Sequence, residues 1–131
     1  MIHVDTNVII DVLTNRVGFV ESAIAALARI QAAPAAIGPM VYAELAGGYA
    51  DRAALDEALL PFGLARLHMD DDALFLAART YRSYLARGGT RTSILPDFFI
   101  GAHAFSTGAR LLTRDPRRYR TAFPELDIVE P

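Results

Sequence analysis

Apolar and polar positions change period several times along the chain, and each change marks an element. Ile2 to Val4 is a short β-type run that meets Asp5, Thr6 and Asn7. Val8, Ile9, Val12 and Leu13 then recur at helical spacing, so strand, polar corner and helix follow in order. Gly18 to Ala33 carries Phe19, Ile24, Leu27 and Ile30 among alanines and reads as a helix ending near Pro34. Ala35 to Gly38 is a brief strand at most. Pro39 suits the first turn of a helix that carries Val41, Glu44 and Leu45 and stops at Gly47 and Gly48. Asp51 to Leu60 predicts another helix, punctuated by Pro61, Phe62 and Gly63, and Leu64 to Met69 alternates as a strand does. Asp70, Asp71 and Asp72 open a helix over Ala73 to Arg87, their charge complementing its dipole, and Gly88 and Gly89 end it. Thr90 to Ser93 is a polar loop, Asp97 to Ser106 an apolar helix, Arg110 to Thr113 a short strand and Ile128-Val129 a last one.

Strands alternating with helices over the whole length predict an α/β fold, a short parallel sheet flanked by helices on both faces. A chain of 131 residues has room for one such core, so residues 1–131 are read as one domain. No internal repeat, linker or low-complexity tract interrupts it.

Composition adds exclusions. With 53% apolar and 21% charged residues the chain has a globular balance. No apolar run is long enough to cross a bilayer, and the start Met1-Ile2-His3-Val4-Asp5 lacks the features of a signal peptide, so the expected location is the cytosol. The absence of cysteine excludes disulfides and thiolate metal sites. Every basic residue is arginine. The absence of lysine removes the lysine-bearing phosphate loop and Schiff-base chemistry. A net charge of −2 neither favours nor disfavours nucleic acid, since an acidic site and a basic rim cancel in the sum.

In open parallel sheets, ligands bind beyond the carboxyl ends of the strands. Asp5 follows the first strand directly, Asp115 follows the Arg110 to Thr113 strand after one residue, and Glu44 lies within two helical turns of the second strand. Three acids therefore point to one rim, and Asp97 stands at the head of an apolar helix just after Pro96. Taken singly, Asp5, Asp97 and Asp115 each occupy a position where helix capping is the commoner use of aspartate. Glu44 fits that use poorly, because its helix is otherwise Met40, Val41, Ala43, Leu45 and Ala46, where burying an unpaired carboxylate is costly; a partly exposed helical glutamate is the alternative. Asp70 to Asp72 form a run, which marks a solvated helix start.

Val4-Asp5-Thr6-Asn7-Val8-Ile9, Ala43-Glu44-Leu45, Pro96-Asp97-Phe98-Phe99-Ile100-Gly101-Ala102 and Leu112-Thr113-Arg114-Asp115 together resemble a PIN domain of the VapC toxin type, with the motifs in the family's order over nearly the entire chain. The resemblance implies a metal-dependent endoribonuclease, the toxin of a type II toxin-antitoxin pair, with Asp5, Glu44, Asp97 and Asp115 as metal-binding and catalytic acids and Thr6, Asn7 and Thr113 as supporting polar groups. Phe98 and Phe99 are bulkier, and His103 more polar, than the family pattern, which bears on packing and substrate fit.

Four clustered carboxylates repel one another unless a cation shares the site, and an oxygen-only ligand set selects Mg²⁺, or Mn²⁺ in its place, over zinc. Such an ion turns bound water into a nucleophile for phosphodiester hydrolysis. Asp5 and Asp97 are the expected direct ligands, with Glu44 and Asp115 completing the site or orienting water. For RNA contact the candidates are Arg87, Arg91, Arg114, Arg117, Arg118 and Arg120, which flank the later acidic motifs, with Arg114 the best placed. His3, His68 and His103 are expected to pack or sit at strand ends, and Tyr42, Tyr81 and Tyr84 to serve core or dimer contact before base stacking. The resemblance further implies a homodimer and a VapB-like antitoxin. Small and apolar residues on the Gly18 to Ala33 and Asp51 to Leu60 helices are its candidate groove. Two other classes remain: a non-catalytic interaction module whose acids are caps, and a metal-dependent nuclease or phosphatase with a non-RNA substrate.

Overall fold

The computed structural model describes all 131 residues. Its centre is β1 (Ile2–Val4), which pairs in parallel with β2 (Ala35–Ile37) on one side and β4 (Arg110–Leu112) on the other. β3 (Ala65–Arg66) and β5 (Ile128–Val129) extend the two edges, giving a five-stranded parallel sheet in the order β3-β2-β1-β4-β5. Between the strands run α1 (Thr6–Leu13), α2 (Val20–Ile30), α3 (Pro39–Ala46), α4 (Arg52–Leu59), α5 (Asp71–Ala86), α6 (Pro96–Ser106) and α7 (Pro116–Ala122). The α/β class read from the alternation is the one observed.

Every residue of β1 is buried, as expected of a central parallel strand covered on both faces. Ile2 and Val4 join Val8, Ile9, Ile37, Leu55, Leu111 and Leu112 in the core. His3 packs edge-on against the His103 ring at 4.7 Å, and both are almost fully buried, so these histidines fill the interior. Burial lowers the pKa of both imidazoles, that of His3 to about 4. Phe98 is likewise absorbed, against Tyr81 and Tyr84. Gly101 is required by packing, because a Cβ there would run into the Phe123 ring.

The structure differs from the periodicity in two places. β3 is two residues long where alternation extends from Leu64 to Met69, because only Ala65 and Arg66 find ladder partners, on Ala36 and Ile37. The other difference is α7, a helix that charged Arg117, Arg118 and Arg120 conceal from any apolar pattern. Pro116 at its first turn is the available signal.

The sheet order decides where a site can form. From β1 the chain moves outward through β2 and β3, then returns to the other side of β1 for β4 and β5. The helices following β1 and β4 therefore diverge, opening a crevice beyond their carboxyl ends. The Asp5 amide donates to the Leu112 carbonyl at 2.9 Å, so Asp5 stands at the lip of that crevice.

Candidate active site

Asp5 is fixed first by the backbone. The extended conformation at the end of β1 turns into α1 at this residue, and its Oδ1 accepts from the Thr6 amide at 2.7 Å. Oδ2 accepts from Thr113 Oγ1 at 2.7 Å, Tyr119 OH at 3.0 Å and Asn7 Nδ2 at 3.3 Å. Thr113 arrives from the end of β4 and Tyr119 from α7, so three segments converge on one buried carboxylate. Burial pushes the Asp5 carboxyl above its ordinary range; the bonds from Thr113, Tyr119 and Thr6 pull it back, and the charge of Asp97 adds to the rise.

Asn7 ties this corner to the turn carrying Asp115. Its Oδ1 accepts from the Arg114 amide at 3.1 Å and its Nδ2 donates to Thr113 Oγ1 at 3.3 Å. Thr113 Oγ1 in turn accepts from the Asp115 amide at 3.1 Å. Thr6 reaches the other way, donating through Oγ1 to Glu44 Oε1 at 2.7 Å. Thr6, Asn7 and Thr113 thus connect Asp5 to Glu44 and to the Asp115 turn, while Asp97 is reached by Tyr119 and Arg118.

Glu44 is exposed, as the alternative reading of a helical glutamate had it, so burial is not what singles it out. α3 buries Val41 and Leu45 and turns Ala43, Glu44 and Ala46 outward. Its link to the site is the Thr6 hydroxyl. Of the three aspartates read singly as caps, Asp5 is one, the N-cap of α1 with its side chain on the Thr6 amide, and the other two are not. Leu95 is the N-cap of α6, which leaves Asp97 inside the first turn, and Asp115 precedes α7 without a side-chain cap bond. By contrast, Asp51 and Asp70 do cap, accepting from the Ala54 and Ala73 amides at 2.8 and 2.9 Å.

All four acids line one cavity of about 220 Å³ together with Thr6, Asn7 and Tyr119. They ring it without closing up: no three acidic or imidazole groups are near enough to form a finished cation cage. A guanidinium stands among them. Arg118 Nη1 donates to Asp97 Oδ2 at 3.0 Å, and its Nε lies 3.4 Å from Asp115 Oδ2. The donor set is oxygen alone, which suits a hard divalent cation.

A second cavity of about 550 Å³ adjoins the first, sharing Glu44, Asp97, Arg118 and Tyr119. Arg87, Arg91 and Arg117 line it as well, as does Tyr84. Two of the arginine candidates fall elsewhere. Arg114, ranked best placed from its triplet, turns away to donate to Asp11 through Nε at 2.6 Å and Nη2 at 3.3 Å, over the face of Phe19. Arg120 pairs with Glu130 at 3.1 Å. The reason for the first is electrostatic: Asp11 is 1% exposed, and a buried carboxylate needs the nearest cation more than solvent or substrate does.

Two residues that shape the arrangement were not singled out by sequence, Tyr119 in the site and Asp11, which holds Arg114 away from it. Tyr119 is 1% exposed, and its hydroxyl donates to Asp5 and, at 3.5 Å, toward Asp97. Asp11 had a signal, an acid among Val8, Ile9, Val12 and Leu13. Tyr119 had only its place one turn after Pro116.

The PIN domain family model matches residues 2–124. The chain belongs to the PIN domain family. Its members are in general nucleases that use divalent metal ions. Among solved structures, the PIN chain resembles one in VapBC2 from Rickettsia felis bound to a promoter DNA fragment, at 20% identity and a TM-score of 0.78 over 100% of this chain and 99% of that one. It resembles one in VapBC-1 from nontypeable Haemophilus influenzae at 22% identity and 0.71, covering 99% and 98%. For FitAcB from Neisseria gonorrhoeae the identity is 26% and the TM-score 0.71, covering 98% and 96%. No curated protein matches the chain in sequence. No helix is long and apolar enough to cross a membrane.

Proposed function

We propose that this PIN domain is a Mg²⁺-dependent endoribonuclease, with Mn²⁺ as a substitute ion, acting as the toxin of a VapBC-type pair. The observation that carries it is the convergence of Asp5, Glu44, Asp97 and Asp115, from four separate segments, on one cavity that adjoins an arginine-lined groove. Asp5 and Asp97 would hold the ion, with Glu44 and Asp115 completing its surroundings. When bound, the ion supplies charge neutralisation at the phosphoryl oxygens and a lowered pKa for water.

The chain's own groups do the remainder. Thr113, Asn7 and Tyr119 donate to one oxygen of Asp5 and so aim the other lone pairs at the cavity, while Thr6 holds Glu44 at its edge. Glu44 or Asp115 takes the proton from the attacking water. Water oxygen adds to phosphorus, the P–O3′ bond breaks, and the leaving O3′ takes a proton from solvent water, so that a 5′-phosphate and 3′-hydroxyl remain. Arg87, Arg91, Arg117 and Arg118 hold flanking phosphates.

The toxin assignment is supported by the VapBC and FitAB complexes among the structural relatives. A VapB-like antitoxin segment would dock beside the end of α2, in a cavity of about 560 Å³ between Leu27 and Ile30 and the Pro61–Leu64 turn; the Asp51 to Leu60 helix, expected as part of the groove, does not line it. A homodimer is proposed on the same family grounds.

The test is cleavage of labelled RNA, single-stranded DNA and small phosphate esters with Mg²⁺, Mn²⁺ or chelator, comparing wild type with Asp97→Asn. Metal-dependent RNA cleavage that the variant loses while staying folded is the expected result. Full activity in Asp97→Asn removes the site, preference for DNA or esters changes the substrate class, and the absence of any activity or Mn²⁺-induced stabilisation leaves an interaction module.

A further inference from the structure

Arg118 is the one arginine that borders both the acidic cavity and the groove. Its side chain is 67% exposed, and nothing but two ion pairs, to Asp97 and Asp115, holds it where it stands. Exposed pairs of this kind are weak and leave a long side chain free to reorient. Arg114 shows the contrast: 28% exposed, laid over Phe19 and bonded twice to buried Asp11, it is pinned. Arg87, Arg91 and Arg117 differ in another way, lining the groove without any carboxylate partner. The acids with which Arg118 pairs are therefore two of those that a divalent ion would need, and the groove beside it presents positive charge without acids of its own apart from the shared Glu44 and Asp97.

Resting on the metal-dependent nuclease proposed above, we propose that Arg118 has two working positions. It neutralises Asp97 and Asp115 until a divalent cation takes them, and then turns into the groove to bind a phosphate of a polynucleotide. A 2+ ion at Asp97 both outcompetes a single delocalised charge for the carboxylates and repels it. The nearest anion then available to the guanidinium is a phosphate in the groove, where a fork of donors fits two phosphoryl oxygens. Arg118 in this account is a positioning and binding residue that couples the two ligands of the site, so that each raises the affinity for the other.

The coupling is measured by isothermal titration of wild type, Arg118→Gln and Arg117→Gln with Mn²⁺, and by binding of a short single-stranded oligoribonucleotide with Ca²⁺ or with chelator. Arg118→Gln should bind Mn²⁺ roughly three- to tenfold more tightly at low ionic strength, because a cation no longer competes for the acids. The same variant should weaken oligoribonucleotide binding in Ca²⁺ and leave it nearly unchanged in chelator, and in Ca²⁺ its salt dependence should lose about 0.7 in log–log slope, the share of one phosphate contact. Arg117→Gln should weaken oligoribonucleotide binding with or without the cation and leave Mn²⁺ affinity as it was. Unchanged Mn²⁺ affinity in Arg118→Gln, or equal weakening with and without cation, overturns the two-position role while the metal site stands. Wild-type protein that binds no Mn²⁺ overturns both.

Discussion

Removing one oxygen from Tyr119 tests how the central acid is held. Tyr119→Phe keeps the buried ring and deletes the hydroxyl that donates to Asp5 Oδ2 at 3.0 Å. Thr113 and Asn7 still donate to that oxygen and Thr6 to the other, so the variant leaves no bare carboxylate and hardly any cavity. The loss is then one hydrogen bond to a charged group, about 1.5–2 kcal/mol. For a domain of this length that corresponds to a fall in Tm of roughly 5–10 °C. Chemical denaturation of wild type, Tyr119→Phe, Asp5→Asn and the double variant closes a thermodynamic cycle. With the charge removed in Asp5→Asn, the hydroxyl has less to stabilise, and Tyr119→Phe should cost about 1 kcal/mol less in that background. Strict additivity would show that Tyr119 contributes packing alone, and the account of Asp5 as a carboxylate held by its donors would fail.

Further outcomes follow from the buried charges and the packing. Burial first, then the His103 ring and the Met1 amino group, lower the His3 pKa to about 4 in the fold, against an ordinary 6.5. The unfolded chain thus binds more protons between these values, and stability should fall as pH drops from 6.5 toward 4, by at most roughly 3 kcal/mol from this residue. The raised Asp5 carboxyl acts with opposite sign, favouring the fold as pH falls toward its ordinary range. Urea midpoints at pH 7, 6 and 5 should show a shallower slope in His3→Gln than in wild type; equal slopes would refute the assignment. Arg114→Ala leaves buried Asp11 with only the 4.0 Å pair to Arg16 and should destabilise by roughly 2–3 kcal/mol, whereas exposed Arg117→Ala should change stability by less than about 0.5 kcal/mol and instead weaken RNA binding. A reversed pattern would put Arg114 in the groove after all. Gly101→Ala should cost about 1–3 kcal/mol in thermal or urea unfolding, since the added methyl meets the Phe123 ring, and a neutral result would mean that α7 has slack.

Local pattern was sufficient for most elements because their apolar residues repeat at the period of the element itself. It failed at α7, whose surface is arginine and whose one buried anchor, Tyr119, is set by contact with Asp5 across the sheet. It also misplaced Arg114, since the Thr113-Arg114-Asp115 triplet gives no sign that Asp11, 103 residues earlier, lies buried beside it.

What the sequence by itself determined is the alternation of strands and helices, the choice of Asp5, Glu44, Asp97 and Asp115 as an oxygen-only candidate set, and a resemblance to PIN domains that the family match bears out. Asp5, Asp97 and Asp115 taken alone read more readily as helix caps, because capping depends on a few neighbouring residues, and Glu44 as either a site acid or a partly exposed helical residue. Only the tertiary structure decided that Asp97 and Asp115 leave their helix amides alone, that Glu44 is tied in through Thr6, and that Arg118 sits among the acids while Arg114 does not. Those outcomes depend on which side of β1 receives β4 and on how α7 packs back across it. Such long-range pairings are fixed by burial over the whole domain, and no local spacing records them.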